Sequence, residues 1–302
     1  MKIAILGAGA MGGLYGAYLS QRNDVTLIDT NPAIVQKINE SGLELRTKDG
    51  AATTYRPTAV LAPYSGVPAD LVIVFTKSLH THAALSQNKA LLGVNTYILT
   101  LQNGSGHESA LLQFADASKV LIGTTQHNAD MPEPGVLNHK GVGATYIGSL
   151  DGDTSRITHI GEVFNTCGLE TIISDNVQQV VWNKLFTNVS ISALTAVFQM
   201  PLGGITSNPR AWAICQRLIK EAIDVANAMG LDFDYGQKVA EVQSIGINNP
   251  GGLTSIYLDV TNGRKTEVDT ISGSVVSAGQ KYNIPTPSHQ FVVDYIKAKE
   301  EM

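Results

Sequence analysis

The feature that most restricts the fold is the glycine loop GAGAMG, which follows the strand-like run KIAIL and opens the helical run MGGLYGAYL. Its glycines have the G-x-G-x-x-G spacing, and the strand–loop–helix context distinguishes this motif from chance glycines. Gly7 permits a tight turn, Gly9 lets the backbone approach a pyrophosphate, and Gly12 allows close helix–sheet packing. The helix N-terminus supplies unpaired N–H groups to an anion. The predicted dinucleotide-binding residues are Gly7, Gly9, Ala10, Met11 and Gly12. A glycine turn without a ligand is the alternative.

The first half of the chain alternates short β-branched runs with helical patterns, which predicts a parallel sheet with crossover helices. The strand-like runs are Ile3–Leu6, Val25–Asp29, Leu71–Thr76, Tyr97–Leu101 and Val120–Thr125. The helical patterns are Met11–Gln21, Pro32–Ser41, Thr81–Leu92 and His107–Phe114. We further expect small strands within 43–61, a hairpin within 135–150 and a short strand at 169–174.

The pattern changes near Asp175, after which long helical patterns dominate. These are Val177–Phe198, Pro209–Met229, Gln237–Ile247, Glu267–Tyr282 and Ser288–Lys299, with glycine- and proline-rich breaks between them. A length of 302 residues is also compatible with two domains. The sequence therefore predicts an α/β protein: a Rossmann-type doubly wound parallel sheet over residues 1–174, followed by an all-helical domain over residues 175–302.

Composition excludes several classes of protein. The net charge is −5 and there are no basic runs, which argues against nucleic acid or an anionic membrane as a partner. No apolar run reaches the ~18 residues that span a bilayer, and the N-terminal residues resemble a signal peptide only superficially. Cys167 and Cys215 lack metal-type spacing, and His80 and His82 lack further nearby ligands, so we expect no metal site. We expect a cytoplasmic protein.

Asp29 ends the second strand, 22 residues after Gly7. A carboxylate at this strand tip normally accepts hydrogen bonds from the adenosine ribose. It would repel a 2′-phosphate at ~4 Å by up to a few kcal/mol, and no basic residue follows at Thr30 or Asn31. NAD(H) is therefore favoured, while NADP(H) is not excluded. The other role open to Asp29 is to cap the turn before Pro32.

A polar stripe runs along the helix predicted at WNKLFTNVSIS, where Lys184, Asn188 and Ser192 recur every four residues. A solvated helix edge would explain such a stripe. In a protein that binds a dinucleotide, however, reduction of a ketone leaves charge on oxygen, which needs a proton donor. An ordinary lysine is protonated at neutral pH and can serve as that acid. Lys184 is therefore the candidate general acid.

The chain resembles the ketopantoate reductase (2-dehydropantoate 2-reductase) family along its length. Four segments carry the resemblance: ILGAGAMGGLYGAYL, LQNGSGHES, WNKLFTNVSISALTA and LTSIYLDVTNGRKTEVDTISG. Each is moderately specific alone, and their order and spacing make them specific together. The resemblance implies reduction of a 2-oxo acid to a D-2-hydroxy acid by a nicotinamide cofactor, in the family-typical case 2-dehydropantoate to (R)-pantoate.

The resemblance also implies roles for individual residues. Lys184 would be the general acid, and Glu267 in KTEVD its carboxylate partner. The substrate-binding positions would be Asn103, Asn188, Ser192 and Ser255, with Ser255 binding the substrate carboxylate. Asn103 would also contact the cofactor, and Lys77 in FTKS would lie near it. Alternatively, Asn103 belongs to a turn, Glu267 ends a helix and Ser255 caps one.

Two departures from the family pattern bear on substrate and cofactor. Members that use NADPH commonly carry a basic residue where this chain has Asp29, and the family often has an asparagine where this chain has Ser192. A smaller wall at Ser192 suits a bulkier or more apolar 2-oxo acid. The alternative is therefore an NAD-dependent D-2-hydroxyacid dehydrogenase acting on mandelate or branched-chain analogues.

Two other functions stay open at this point. One is a protein that senses a dinucleotide without catalysis, which would need no proton donor such as Lys184. The other is a β-hydroxyacid dehydrogenase, which shares the glycine loop and a helical second domain. The family resemblance permits a homodimer through the helical domain, and small-molecule 2-oxo acids are the expected partners.

Overall fold

The computed structural model describes residues 1–302, whose contacts divide the chain into two compact units. Unit 1 contains residues 1–102 and 107–177, and unit 2 contains residues 103–106 and 178–302. Residues 103–106 thus pack with the C-terminal residues, although they follow a strand of unit 1 in the chain. No helix combines the length and apolarity required to cross a membrane.

Unit 1 is built on an eight-stranded sheet and a four-stranded sheet. Its strands are β1 (Lys2–Leu6), β2 (Asp24–Asp29), β3 (Leu43–Thr47), β4 (Ala52–Tyr55), β5 (Thr58–Leu61), β6 (Leu71–Val74), β7 (Tyr97–Thr100), β8 (Val120–Thr125), β9 (Asn128–Glu133), β10 (Val136–Gly141), β11 (Thr145–Ser149) and β12 (Thr171–Ile173). Its helices are α1 (Ala10–Leu19), α2 (Pro32–Ser41), α3 (Thr81–Gln87), α4 (Glu108–Leu111) and α5 (Thr158–Thr166).

The large sheet has the strand order β12-β11-β8-β7-β6-β1-β2-β5. Its pairs are parallel except for β11 against β8. The strand β6, LVIV, is buried at every position, as expected for a parallel strand covered on both faces. The strand order reverses between β1 and β6, which is where sheets of this kind bind ligands. The predicted fold class is confirmed.

The predicted hairpin within 135–150 is wrong. The strand β10 pairs antiparallel with β9 and parallel with β3 in the small sheet, whereas β11 joins the large sheet beside β8. The sequence shows two strands separated by a turn, but tertiary packing decides their partners. Leu137 of β10 packs against Gly13 of α1, which draws this strand onto the helix. The helix α5, anchored by buried Ile160 and Phe164, was not predicted.

Unit 2 is helical. Its elements are α6 (Val177–Thr187), a π-helical turn (Asn188–Ser192), α7 (Ala193–Phe198), α8 (Leu202–Ser207), α9 (Pro209–Ala228), α10 (Tyr235–Asn248), α11 (Ser255–Thr261), α12 (Ser272–Tyr282) and α13 (Pro287–Glu300). The long helix α9 packs against α8, α10, α12 and α13. Its apolar face supplies Cys215, Leu218 and Ile219 to the core of this unit.

Two predicted helices of unit 2 differ from the structure. The helix predicted at Val177–Phe198 is interrupted by the π turn, and the one predicted from Glu267 begins only at Ser272. Between Glu267 and Ser272 the backbone forms tight turns, in which Glu267 O accepts from the N–H groups of Thr270 and Ile271. Both differences place irregular backbone at residues that the sequence nominates for chemistry. The short helices α8 and α11 were not predicted.

Candidate active site

The glycine loop of unit 1 has two positions that only glycine fits. Gly7 adopts a φ of +97°, in the left-handed region that favours glycine. A Cβ on Gly12 would lie 1.8 Å from the Gly7 carbonyl oxygen and 3.3 Å from Ile5 Cγ2. These glycines therefore bring the first turn of α1 directly against the end of β1.

Gly9 serves a different purpose, because a Cβ there would meet nothing within 4 Å. Gly9 precedes the first residue of α1, and no side chain caps that helix N-terminus. The first N–H groups of α1 therefore have no side-chain cap and carry the positive end of the helix dipole. This arrangement fits a pyrophosphate, and Ala10 and Met11 contribute the first two residues of that helix.

Asp29 braces the glycine loop. One of its carboxylate oxygens accepts a hydrogen bond from Ala8 N at 2.7 Å, and the other accepts from Asn31 N at 2.9 Å. The cap of α2 is Asn31, whose side chain accepts from Ala33 N at 3.0 Å. Asp29 thus holds both the loop and the turn that follows β2, and it also lines a cavity.

A cavity of about 280 Å³ opens at the carboxyl ends of β1 and β2. Its lining includes Gly7, Asp29, Thr30, Thr76 and His80, together with apolar and amide side chains, but no lysine or arginine. The hydroxyl of Thr76 is buried and has no hydrogen-bond partner, so it remains available to a ligand. Lys77, the next residue, precedes the 3-10 turn at Ser78–His80. The cavity and the glycine loop together suit an adenine dinucleotide.

In unit 2, the structure brings Lys184, Asn103 and Glu267 together. Lys184 Nζ donates to Asn103 Oδ1 at 3.0 Å. Glu267 acts on the same ammonium through its charge. The three residues come from α6, from the loop after β7 and from the turns before α12. They are distant in sequence, and the helical unit assembles them.

The environment of Lys184 brings the pKa of its amine closer to neutral pH. Burial lowers the pKa of the Lys184 ammonium from its ordinary 10.5 to about 8, while the negative charge of Glu267 opposes part of that decrease. An acid with a pKa close to the working pH both gives up and regains a proton readily. Asn103 accepts a hydrogen bond from this amine and orients it.

Gly104 is a site residue that sequence reasoning missed. It adopts a φ of +101°, and a Cβ there would lie 2.2 Å from the Thr270 carbonyl oxygen. The next residue, Ser105, donates its N–H to the same oxygen at 2.9 Å. The loop that carries Asn103 is thereby seated on the turn that carries Glu267. The QNGSG stretch offered the signal, since glycines on both sides of a serine favour an unusual backbone.

The π turn alters the polar stripe that the sequence predicts. In an α-helix, two residues four positions apart differ in direction by about 40° around the helix axis, so Asn188 points about 40° away from Lys184. The π turn has i→i+5 hydrogen bonds and therefore more residues per turn than an α-helix. Four residues within it complete less than one full turn, so the rotation from Asn188 to Ser192 is in the opposite direction. Ser192 therefore returns towards the face of Lys184. Asn188 is half-buried, and Ser192 is only 8% exposed.

Ser255 is the first residue of α11 and is exposed. Its neighbour Thr254 caps this helix and shares a 2.7 Å hydrogen bond with the Thr195 hydroxyl. The Thr195 hydroxyl in turn donates to the Ser192 carbonyl at 2.7 Å. The start of α11 is thus tied to the end of the stripe, through Thr254 and Thr195, which sequence reasoning did not nominate.

The Rossmann-type sheet with its glycine loop, and the helical unit with its lysine and carboxylate, define a dinucleotide-dependent oxidoreductase. Family models describe the same division: "Ketopantoate reductase PanE/ApbA" matches residues 3–152, and the C-terminal model of that family matches residues 176–300. The chain belongs to the ketopantoate reductase PanE/ApbA family.

Named relatives and solved structures match over the full length. The 2-dehydropantoate 2-reductase of Halobacterium salinarum is 31% identical, and the match covers 98% of this chain and 98% of that protein. The 2-dehydropantoate 2-reductase of Pyrococcus horikoshii is also 31% identical, and the match covers 100% of this chain and 98% of that protein. A structure of D-mandelate dehydrogenase with NADH and anilino(oxo)acetate is 29% identical, covers 100% of this chain and 98% of that chain, and superposes with a TM-score of 0.92. A PanE/ApbA family ketopantoate reductase from Ralstonia eutropha, also 29% identical, covers 100% of this chain and 99% of its own with a TM-score of 0.91.

Proposed function

We propose that this protein reduces a 2-oxo acid to the D-2-hydroxy acid, with Lys184 as the proton donor to the ketone oxygen. The observation that carries the proposal is the 3.0 Å hydrogen bond that holds the Lys184 amine to Asn103, at a place where Glu267 acts on the amine through its charge and burial lowers the pKa of the amine to about 8. A reduced nicotinamide dinucleotide, when bound, supplies the hydride. One proton then comes from the protein, so that 2-oxo acid, hydride and proton give the hydroxy acid.

Each residue of the site has a part in this reaction. Glu267 keeps a fraction of the Lys184 amine protonated at working pH, because its charge offsets part of the cost of burial. Asn103 orients the amine through its side-chain oxygen. Asn188 and Ser192 would contact the body of the substrate. The exposed Ser255 hydroxyl would bind its carboxylate.

The residues proposed to hold the pyrophosphate and the ribose of the cofactor are those of unit 1. The uncapped N-terminus of α1 would bind the pyrophosphate, and Asp29 would accept from the ribose hydroxyls. Lys77 lies beside Thr76, which lines the cavity. The absence of lysine and arginine from that lining, together with the Asp29 charge, supports NADH over NADPH.

Two substrates of this class are supported by different observations. The relatives named 2-dehydropantoate 2-reductase support 2-dehydropantoate, which would give (R)-pantoate. The likeness to D-mandelate dehydrogenase with NADH, together with the small side chain of Ser192, supports an aryl or branched-chain 2-oxo acid. In both cases the same amine protonates the same kind of oxygen.

Initial rates with 2-dehydropantoate, benzoylformate and 2-oxoisovalerate, each with NADH and NADPH, test substrate and cofactor together. We expect kcat/KM to be at least tenfold higher with NADH, because a repulsion of about 1.4 kcal/mol between Asp29 and a 2′-phosphate has that effect. We expect benzoylformate to be reduced at least as efficiently as 2-dehydropantoate. Equal rates with the two cofactors would contradict the role of Asp29, and turnover of 2-dehydropantoate alone would contradict the role of Ser192.

A protein that senses a dinucleotide without turnover is the competing function. It would bind NADH with high affinity and reduce none of the three acids. The buried Lys184 argues against it, because a sensor gains nothing from keeping an ammonium in a site that lowers its pKa.

A further inference from the structure

One edge of α6 is fastened to the segment that leads into α10. Gln179 uses both ends of its amide: Nε2 donates to Asp232 O at 2.7 Å, and Oε1 accepts from Asp232 N at 3.1 Å. Asn183 lies one helical turn later on the same edge and accepts a hydrogen bond from Lys238 Nζ. Gln179 and Asn183 therefore form a polar edge with hydrogen bonds at two successive turns.

Lys238 is an unusual partner for a helix edge, because it is only 5% exposed. Its ammonium forms an ion pair with Glu241 at 2.5 Å and lies 5.5 Å from the ring centroid of Phe233 and 6.0 Å from that of Phe186. Taking an ammonium out of water is costly unless it is paired and hydrogen-bonded. Here the two aromatic rings, the carboxylate and the Asn183 amide oxygen together satisfy it.

Asn183 immediately precedes Lys184 in the chain. Consecutive residues of an α-helix are rotated by about 100°, so a bond that fixes the direction of one fixes the direction of the next. Lys184 reaches Asn103 from the face of α6 adjacent to the polar edge. A rotation of α6 about its axis would break the Asn183–Lys238 bond and move the amine away from Asn103 at the same time.

We propose that Lys238 is a positioning residue, which acts through Asn183 to set the rotation of α6 and thereby the place of the Lys184 amine. The inference rests on the proposed function in one respect, namely that Lys184 is the proton donor. Lys238 itself does not touch the reacting atoms in this account. Displacements of about 1 Å at a reacting group can cost a factor of about 100 in rate, so a distant anchor has a measurable effect.

The test compares Asn183→Ala, Lys238→Met and the double variant with the parent enzyme. Asn183 is exposed, so its truncation removes the hydrogen bond without opening a cavity. We expect kcat to fall about tenfold or more in each single variant, while KM for NADH stays within twofold. The double variant should be no slower than the slower single variant, because both substitutions break one connection. Asn183→Asp keeps an acceptor for Lys238 and should restore most of kcat.

A second measurement does not depend on substrate. In protein carrying ¹³C-labelled lysine side chains, an NMR titration gives the pKa of Lys184, which should be about 8 in the parent and measurably different in Asn183→Ala. The matched control is Lys220→Met, which removes an exposed lysine paired with Asp224 on α9 and should change neither kcat nor this pKa.

An unchanged pKa of Lys184 and an unchanged kcat in Asn183→Ala would overturn the positioning role, as would losses that multiply in the double variant. The proposed function can fail separately. In that case the pKa of Lys184 would shift as expected, but the parent enzyme would reduce none of the 2-oxo acids.

Discussion

Replacing Lys184 by Met should lower kcat for 2-oxo acid reduction by about 10²–10⁴-fold, the usual contribution of a positioned general acid. Methionine preserves much of the aliphatic length and removes the proposed proton donor. Binding of NADH should change little, because the residues proposed to hold its pyrophosphate and ribose belong to unit 1. Stopped-flow absorbance of the reduced nicotinamide measures the rate, and fluorescence titration measures the affinity.

Such a loss of kcat could also arise if the variant unfolded. The pKa of Lys184 predicts the stability of the variant and so distinguishes unfolding from loss of the proton donor. The folded protein lowers this pKa from 10.5 to about 8, so it binds the proton more weakly than the unfolded chain does. The ammonium therefore destabilises the fold below pH 8, and this cost disappears as the pH rises from about 8 to 10.5. Lys184→Met should consequently be at least as stable as the parent at pH 7.

The control for this substitution is Lys140→Met, which removes an exposed lysine of β10 paired with Asp130 and should leave kcat unchanged. A stable Lys184→Met variant that retains near-parental kcat on its best substrate would contradict the role of Lys184. A variant with a lowered melting temperature would instead contradict the account of its burial.

The second large effect is expected at Gly12. In Gly12→Ala the new Cβ would lie 1.8 Å from the Gly7 carbonyl oxygen, so α1 must move away from the end of β1. Overpacking of this kind typically costs about 1–3 kcal/mol. Each kcal/mol lowers the melting temperature by about 2–4 °C in a domain of this size. We expect a lower melting temperature together with at least a tenfold loss of NADH affinity, measured by thermal unfolding and by fluorescence titration.

Gly9→Ala provides the matched comparison, because its Cβ would meet no protein atom within 4 Å. This variant should keep the parental melting temperature and lose NADH affinity, since the methyl group would occupy the space proposed for the pyrophosphate. If both variants bound NADH as the parent does, the glycine loop would not be the phosphate site.

The sequence was sufficient for features that depend on neighbouring residues. The glycine loop and the alternation of strand-like and helical runs follow from short-range rules, and the α/β class was predicted from them. The partners of β10 and β11 did not follow, because their pairing depends on what packs against α1. Nor did the π turn at Asn188–Ser192, since propensity does not distinguish it from an α-helix.

In the candidate site, too, the sequence predicted individual residues but not the contacts between residues that are far apart in the chain. The polar stripe nominated Lys184, and the family resemblance added Asn103 and Glu267. Neither revealed the contact between Gly104 and Thr270 that seats the Asn103 loop beside Glu267. That contact joins residues far apart in the chain, which pattern and spacing do not reveal. The lowered pKa of Lys184 likewise arises from burial, which only the folded chain provides.

The pH dependence of initial rates in both directions tests the central claim most directly. If Lys184 donates the proton, reduction requires the ammonium and oxidation of the hydroxy acid requires the neutral amine. We therefore expect kcat/KM for the 2-oxo acid to be level below pH 8 and to fall above it. We expect kcat/KM for the D-2-hydroxy acid to rise with pH and then level off, with the same apparent pKa of about 8. Profiles that stay level between about pH 7 and 9.5 in both directions, or that bend in the same sense, would contradict it.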